Sequence, residues 1–201
     1  MSAIARALRE ATQAFEDISD TPRLDAELLM AHALGVARET LLLDRPEMAV
    51  PISFAALVER RASGEPIAYL TGRRGFWTIE LDVAPGVLIP RPDSETLIAA
   101  AVEHFGGSAG PKRVLDLGTG SGALLLAALD QWPQARGLGV DRSIMALGQA
   151  RANAERLGMA GRAEFSRGDW AEGLDGRFDL ILCNPPYVAT GASLAPGVAE
   201  Y

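Results

Sequence analysis

The sequence predicts an α/β fold in which a small N-terminal helical bundle precedes an open sheet of parallel strands. From Lys112 onward, short apolar runs alternate with helical patterns, an order typical of a parallel sheet with helices packed on it. Before that point, apolar residues recur three and four positions apart between helix start and stop signals. Hydrophobic residues make up 48% of the chain and charged residues 22%, which is typical of a globular protein.

The N-terminal part is predicted to consist of short helices. One apolar stripe at helical spacing is formed by Ile4, Leu8, Ala11, Phe15 and Ile18. A second helix is predicted with Thr21 as its N-cap and Gly35 as its stop. A third covers 38–43, Ser53 is predicted to cap a fourth, and 66–70 adds a last turn.

A β-hairpin is predicted between the helices and the sheet. Residues 79–83 alternate between apolar and acidic side chains, as in a half-buried strand. Pro85-Gly86 indicates a turn, and Val87–Ile89 is predicted to return as the second strand. Asp93 or Ser94 is then predicted to cap the helix that follows.

Four parallel strands are predicted in the remainder, at 114–117, 137–141, 163–166 and 178–183. The predicted domains are therefore a helical domain at 1–73, a β-hairpin linker at 74–92 and a sheet domain at 93–201.

The charge and the cysteine count disfavour several classes of function. The net charge is −7, and both 1–75 and 76–201 carry more acidic than basic residues, which disfavours a nucleic-acid substrate held by phosphate contacts. Cys183 is the single cysteine, so an internal disulfide and a cysteine-rich zinc site are excluded, and we expect it to be a core residue. His32 and His104 are isolated on helical segments and are interpreted as structural. The sequence has no signal peptide and no long apolar span, and we expect a cytoplasmic protein.

A glycine-rich turn follows the first parallel strand and has the spacing G-x-G-x-G. It consists of Gly118, Thr119, Gly120, Ser121 and Gly122. Glycines allow a tight strand-to-helix turn and a close approach of the backbone to a ligand. The spacing differs from the G-x-G-x-x-G of nicotinamide dehydrogenases, and a tight turn without a ligand is the alternative.

Acidic residues follow the next two strands. Asp141 ends the second strand, where its two acceptor oxygens suit a ribose diol, although an N-cap for the next helix is the alternative. Asp169 and Trp170 follow the third strand, where a carboxylate can accept from an adenine amino group and an indole can pack on the ring. Trp170 could also be a core residue. In open α/β sheets, ligands bind beyond the carboxyl ends of the strands, and these residues all lie there.

The run Asn184-Pro185-Pro186-Tyr187 completes this row after the fourth strand. Two prolines cannot extend a central strand, so the strand stops where an amide, two rigid carbonyls and an aromatic ring come together. These groups suit the binding of a planar group that carries N–H donors. An ordinary strand-terminating turn is the alternative for this motif taken alone.

These motifs together resemble the class I S-adenosylmethionine-dependent methyltransferases, and more closely the glutamine N-methyltransferases that modify peptide-chain release factors. The resemblance covers 66–187. Besides the glycine turn and Asn184–Tyr187, it includes Pro66–Gly72, Phe76-Trp77 and the specific run Leu88–Glu95.

The resemblance implies a Rossmann-like catalytic domain and roles for particular residues. Gly118–Gly122 would line S-adenosylmethionine, Asp141 would hold its ribose, and Asp169 with Trp170 would hold its adenine. Asn184–Tyr187 would hold the glutamine amide of a release factor, and the helical domain would help to recognise that protein.

Arg91 and Glu95 would help to shape the wall of the active site, although a cap and a surface ion pair are the alternative. No metal is required by this chemistry.

The family's catalytic domain has a seven-strand sheet, whereas this chain provides about four strands, so a C-terminal truncation is expected. The rival interpretations are a methyltransferase for amino groups of adenine in nucleic acid and an inactive S-adenosylmethionine-binding fragment. The acidic charge and the run around Arg91 favour the protein substrate.

Overall fold

The computed structural model describes residues 2–43 and 49–185 of the 201-residue chain. Its contacts divide the chain into two compact units, with the boundary between Gly72 and Arg73. The first unit is helical and the second contains both sheets. The boundary coincides with the change in apolar spacing along the sequence, from the helical stripes of the first unit to the alternating strand pattern that follows.

The described helices of the first unit are α1 (Ala3–Ala14), α2 (Pro22–Leu34), α3 (Arg38–Leu43), α4 (Ile52–Ala62) and α5 (Ile67–Thr71). Gly35 ends α2 with a φ of 68°, as its position predicted. Thr21 is the N-cap residue of α2, but its side chain makes no capping hydrogen bond. The prediction that Ser53 caps α4 is wrong, since Pro51 is the N-cap and its carbonyl accepts the Phe54 N–H at 3.0 Å. The first turn therefore closes before Ser53.

Two acidic residues of α2 are buried and paired with arginines. Glu27 is 3% exposed and accepts hydrogen bonds from Arg23 Nε at 2.8 Å and Arg38 Nη2 at 2.6 Å. Asp25 is 7% exposed and accepts from Arg61 Nε at 2.9 Å. A buried carboxylate is costly unless such partners compensate for the lost water, so these pairs fix α2 against α3 and α4.

The second unit begins with a β-hairpin and continues as an α/β sheet. Its elements are β1 (Arg73–Phe76), β2 (Ile79–Asp82), a 3₁₀ turn (Pro92–Ser94), α6 (Glu95–His104), β3 (Arg113–Leu117), α7 (Ala123–Gln131), β4 (Arg136–Asp141), α8 (Ile144–Arg156), β5 (Ala163–Arg167) and β6 (Leu180–Cys183). The four later strands are parallel, in the order β5-β4-β3-β6, which confirms the predicted α/β class and its Rossmann-like sheet. None of the helices described here combines the length and the apolar character that a membrane crossing requires.

The predicted hairpin has a different register from the observed one. The prediction paired 79–83 with Val87–Ile89 across Pro85-Gly86, whereas the structure pairs β1 with β2, from Arg73 opposite Asp82 to Phe76 opposite Ile79. Residues 87–89 form no strand. The hairpin contributes the buried Phe76, Ile79 and Leu81 to the same core as α7, so it is part of the second unit rather than a separate linker.

We expect Glu27→Gln to lower the free energy of unfolding by about 1–3 kcal/mol, because charge-assisted hydrogen bonds to both arginines are lost. Burial raises the pKa of Glu27, but the hydrogen bonds from Arg23 and Arg38 and their charges outweigh it, so the net pKa lies below the usual value. Because the pKa is lower in the folded state, ionised Glu27 stabilises the folded protein at pH values above its unfolded-state pKa. This stabilisation is lost as the pH falls through the folded-state pKa. Urea unfolding at pH 7 and in acid tests this.

The advantage of the wild type over Glu27→Gln should therefore shrink as the solution is acidified. Glu59→Gln, at an exposed position of α4, is the matched control and should unfold like the wild type. Equal stability of the wild type and Glu27→Gln at pH 7 would contradict the assignment.

Candidate functional site

The carboxyl ends of the parallel strands are joined by backbone hydrogen bonds. Gly118 and Thr119 at the end of β3 both donate to the Val140 carbonyl of β4, at 2.8 and 3.0 Å. At the end of β5, Gly168 donates to the Asp141 carbonyl at 3.1 Å. The residues predicted to bind a ligand after β3, β4 and β5 therefore share one edge of the sheet, which is where open α/β sheets bind ligands.

The three glycines of the turn after β3 all have backbone angles that favour glycine. The φ values are 72° at Gly118, 55° at Gly120 and 86° at Gly122. A Cβ added at Gly118 or Gly120 would meet no atom within 4 Å, whereas one at Gly122 would lie 3.0 Å from Leu126 Cδ1. The first two glycines thus keep open space beside the backbone, and the third allows close packing. Open backbone at this position fits the nucleoside-bearing cofactor that the resemblance implies.

A buried carboxylate supports this turn from beneath. Asp116 is 1% exposed, and its Oδ2 accepts from Thr119 Oγ1 at 2.6 Å and from the Leu125 N–H at 3.3 Å. Oδ1 is buried without a hydrogen-bond partner among the residues that the structure describes. Burial, together with the nearby charge of Asp141, raises the pKa of Asp116 to about 6 although its two hydrogen bonds act to lower it. The sequence predictions did not include Asp116 in the site, although an acidic residue in an apolar strand was a signal that could have indicated it.

Asp141 contacts the glycine turn directly. Its Oδ2 accepts from the Gly120 N–H at 2.9 Å, and its Oδ1 accepts from the Ser143 N–H at 2.9 Å. The N-cap of α8 is Ser143, whose hydroxyl accepts from the Ala146 N–H, so the alternative that Asp141 caps this helix is wrong. Each carboxylate oxygen can accept a further hydrogen bond, and Asp141 therefore retains acceptor capacity beside the turn.

Asp169 and Trp170 lie after the end of β5 and are exposed. Trp170 is 44% exposed, so the alternative that it is a core residue is wrong. Its φ of 52° is uncommon for a residue other than glycine, and such strain is concentrated at binding and catalytic sites. Both residues follow Gly168, which places them on the side of the site that β5 provides.

Asn184 lies directly beyond β6, and its side chain is anchored. Leu117 of β3 pairs with Cys183 of β6, so Asn184 lies beside the start of the glycine turn. Its Nδ2 donates to Ser94 Oγ at 2.8 Å. Pro185 is half-buried, whereas Pro186 and Tyr187, which the sequence also placed in the site, lie outside the described residues.

The side chain of Ser94 has a different role from the one predicted from the sequence. Asp93 or Ser94 was expected to cap the next helix; Ser94 is the N-cap residue of α6, but its side chain makes no capping hydrogen bond, and it is 8% exposed. Its hydroxyl instead accepts from Asn184, 90 positions along the chain. Contact between residues so far apart in the sequence depends on tertiary structure. The one sequence signal that included Ser94 was the run Leu88–Glu95.

The two residues predicted to shape the wall of the active site, Arg91 and Glu95, differ in their surroundings. Arg91 is exposed, and Glu95 Oε1 accepts from the Trp77 N–H at 3.1 Å. The φ of Trp77 is 54°, so Glu95 supports a strained turn between β1 and β2.

Cys183 is half-buried, and burial, followed by the charge of Asp116, raises the pKa of its thiol, which is unfavourable for a nucleophile. Among residues 2–43 and 49–185, no group of three His, Cys, Asp or Glu residues could hold a metal ion.

Two family models match the chain. The model described as the PrmC N-terminal domain matches residues 6–72, and the model described as the methyltransferase small domain matches residues 94–199. The first match coincides with the helical unit and the second includes the parallel sheet.

Curated relatives are named release factor glutamine methyltransferase, which confirms the resemblance found in the sequence. The protein from Rhodospirillum rubrum is 43% identical over 187 residues, and the match covers 90% of this chain and 57% of the relative. The protein from Xylella fastidiosa strain 9a5c is 49% identical over 171 residues, covering 83% of this chain and 62% of the relative. The chain thus spans about three fifths of the length of these relatives.

Solved structures with a similar backbone include the ribosomal protein L11 methylase from Lactobacillus delbrueckii subsp. bulgaricus. It is 28% identical, with a TM-score of 0.44, and the match covers 51% of each chain.

We expect the wild type to lose stability as the pH rises from about 4 to about 6, and Asp116→Asn to lack this loss. The pKa of Asp116 is raised in the folded state, so the unfolded chain releases its proton first, and the wild type loses stability as the pH rises through this window. Relative to the wild type, the variant should gain about 2 kcal/mol between pH 4 and pH 7. Urea unfolding of both proteins at the two pH values measures the gain. A difference between them that stays constant with pH would contradict the assignment.

Proposed function

Because the chain belongs to the methyltransferase small domain family, we propose that it methylates the side-chain amide nitrogen of a glutamine in peptide-chain release factors, with S-adenosylmethionine as the methyl donor. The observation that carries this proposal is the position of the anchored Asn184 carboxamide, next to the glycine turn at the ends of two paired strands. The names and the identities of the relatives support the same reaction and substrate.

The cofactor would be held along the carboxyl edge of the sheet. Backbone of the turn Gly118–Gly122 would line it, since open space adjoins the first two glycines. Asp141 would accept from the ribose hydroxyls, and Asp169 with the exposed ring of Trp170 would hold the adenine. When bound, the cofactor supplies an electrophilic methyl group on a sulfonium.

Asn184 and Pro185 would orient the substrate amide. An amide nitrogen is a poor nucleophile because its lone pair is delocalised into the carbonyl. The Asn184 Oδ1 and the Pro185 carbonyl would accept the two N–H groups, which fixes the nitrogen and directs its lone pair. As positive charge develops on the nitrogen, these acceptors bind more strongly, and they therefore stabilise the transition state more than the ground state.

The hydrogen bond to Ser94 gives Asn184 one orientation for this task. Because Nδ2 donates to Ser94 Oγ, the orientation of the Asn184 carboxamide is fixed. The orientation of its Oδ1, which has two lone pairs, is thereby fixed as well. A fixed acceptor loses little entropy when the substrate binds. Pro186 would add a rigid backbone and Tyr187 would pack on the amide plane. No strong base is required, since the nitrogen releases its proton after methylation.

A protein substrate fits the chain better than a nucleic acid does. Both parts of the sequence are acidic, and the net charge of −7 opposes binding to phosphates. We propose that the helical unit, which matches the PrmC N-terminal domain model, takes part in recognising the release factor. We also propose that the protein acts in the cytoplasm without contacting a membrane.

The proposed reaction is tested by incubating the purified protein with labelled S-adenosylmethionine and, in parallel reactions, a release factor, DNA or RNA. We expect label in the release factor and, by mass spectrometry, one added methyl group on a glutamine-containing peptide. A release factor in which that glutamine is replaced by glutamate is the matched control and should take no label. Label found in DNA or RNA, and absent from the release factor, would instead support an adenine methyltransferase.

We expect Asn184→Ala to lower kcat by 10²-fold or more while the dissociation constant for S-adenosylhomocysteine changes little, because the lost acceptor acts on the substrate nitrogen. Single-turnover methyl transfer and titration calorimetry measure the two quantities. Equal losses in both would contradict the role of Asn184.

Ser94 provides a graded comparison for the same experiment. Ser94→Ala removes the acceptor of Asn184 Nδ2, and we expect it to lower kcat by about tenfold, as the loss of one orienting hydrogen bond would. Ser94→Thr retains a hydroxyl and should restore most of the rate. An alanine variant as active as the wild type would show that Ser94 does not orient Asn184.

A further inference from the structure

Asn153 is a fully buried amide that joins three separate parts of the second unit. It lies on α8, and its exposed fraction is 0%. Its Oδ1 accepts from the Asp82 N–H at 2.8 Å, and its Nδ2 donates to the Asp82 carbonyl at 3.1 Å and to the Ser121 carbonyl at 3.0 Å. All three partners are backbone groups, and Ser121 belongs to the glycine turn.

The chemistry of these partners fixes the orientation of the amide. A backbone N–H only donates and a carbonyl only accepts, so the reversed amide would place a donor against a donor and an acceptor against acceptors. Asn153 pairs with Asp82 through both its N–H and its carbonyl, as a neighbouring strand would. Strand β2 thus receives from a side chain the pairing that its outer edge would otherwise lack.

We propose that Asn153 is a positioning residue for the cofactor site, holding the glycine turn in its binding conformation by tying it to the β1–β2 hairpin. The inference rests on the proposed function, since it assigns the turn to S-adenosylmethionine. Ser121 is 2% exposed, and its carbonyl faces the interior of the protein rather than a ligand. With this carbonyl fixed from behind, the planar peptide unit that joins Ser121 to Gly122 is fixed as well.

The glycine turn depends on such external supports because its own residues are flexible. Its three glycines lose more conformational entropy on ordering than any other residue type would. Asp116 supports Thr119, Asp141 supports Gly120 and Asn153 supports Ser121, so each support holds a different residue of the turn. Losing one of them should leave the fold intact and increase the entropy that cofactor binding must overcome.

Other contacts hold the same hairpin without touching the glycine turn, and they provide a matched control. Thr78 Oγ1 donates to Asp130 Oδ2 of α7 at 2.6 Å. Thr78→Val removes this hydrogen bond at a similar side-chain volume. A general loosening of the hairpin should therefore appear in Thr78→Val, whereas a specific effect on the turn should appear only when Asn153 is changed.

The test compares Asn153→Asp, Asn153→Ala and Thr78→Val with the wild type by calorimetric titration with S-adenosylhomocysteine and by thermal unfolding. Asn153→Asp keeps the size and the acceptor for the Asp82 N–H but loses the amide donors to the carbonyls of Asp82 and Ser121. We expect both Asn153 variants to bind about tenfold more weakly or worse, which is the effect of losing the one hydrogen bond that Asn153 makes to the glycine turn, and Thr78→Val to bind within twofold of the wild type.

The outcomes separate this inference from the proposed function. If the wild type itself does not bind S-adenosylhomocysteine, the proposed function fails. If the wild type binds and a folded Asn153 variant binds equally well, with only a lowered Tm, Asn153 is merely structural and the inference is overturned.

A measurement on the wild type decides the question if neither Asn153 variant folds. Hydrogen exchange of the Asp82 N–H, which donates to Asn153, should slow on adding S-adenosylhomocysteine. The reason is that the Asn153 side chain bonds both the hairpin and the glycine turn. The Trp77 N–H, which donates to Glu95, is the control and should not change. An unchanged exchange rate at Asp82 in the bound protein would overturn the inference.

Discussion

Parallel pairing of β3 with β4 on one side and with β6 on the other is the constraint on which the rest of the structure depends. Leu117 pairs with Val140 and with Cys183, so the chain segments that follow these strands emerge side by side. Parallel strands end at the same edge of a sheet, and residues distant in sequence therefore meet there. This pairing brings the glycine turn and Asn184 close together.

The site that results is maintained by buried polar groups. Asp116 and Asn153 are both in the core, where an unsatisfied polar group costs free energy, and both use their hydrogen bonds to hold the glycine turn. In Asn153 the oxygen and both N–H groups of the amide have partners, whereas Asp116 retains one unpartnered oxygen within the described part of the chain and has a raised pKa.

Local sequence signals were reliable where the structure depends on neighbours along the chain. The helix α3, the stop at Gly35 and the four parallel strands follow from apolar spacing and from glycine positions, and all lie within a few residues of the prediction. The hairpin was misplaced because the apparent turn at Pro85-Gly86 is a stronger local signal than the observed turn at Trp77-Thr78. That turn is stabilised by Glu95, 18 positions away, and no local rule includes such a partner.

The sequence by itself determined the fold class, the strand ends that carry the candidate site and the residue types suited to a nucleoside and an amide. These depend on periodicity, on glycine backbone freedom and on the inability of proline to extend a strand, which are all properties of single residues and their near neighbours. Tertiary structure alone decided that Ser94 anchors Asn184 and that Asn153 joins the hairpin to the glycine turn. Hydrogen bonds of this kind join residues tens of positions apart, and their partners are chosen by packing rather than by spacing along the chain.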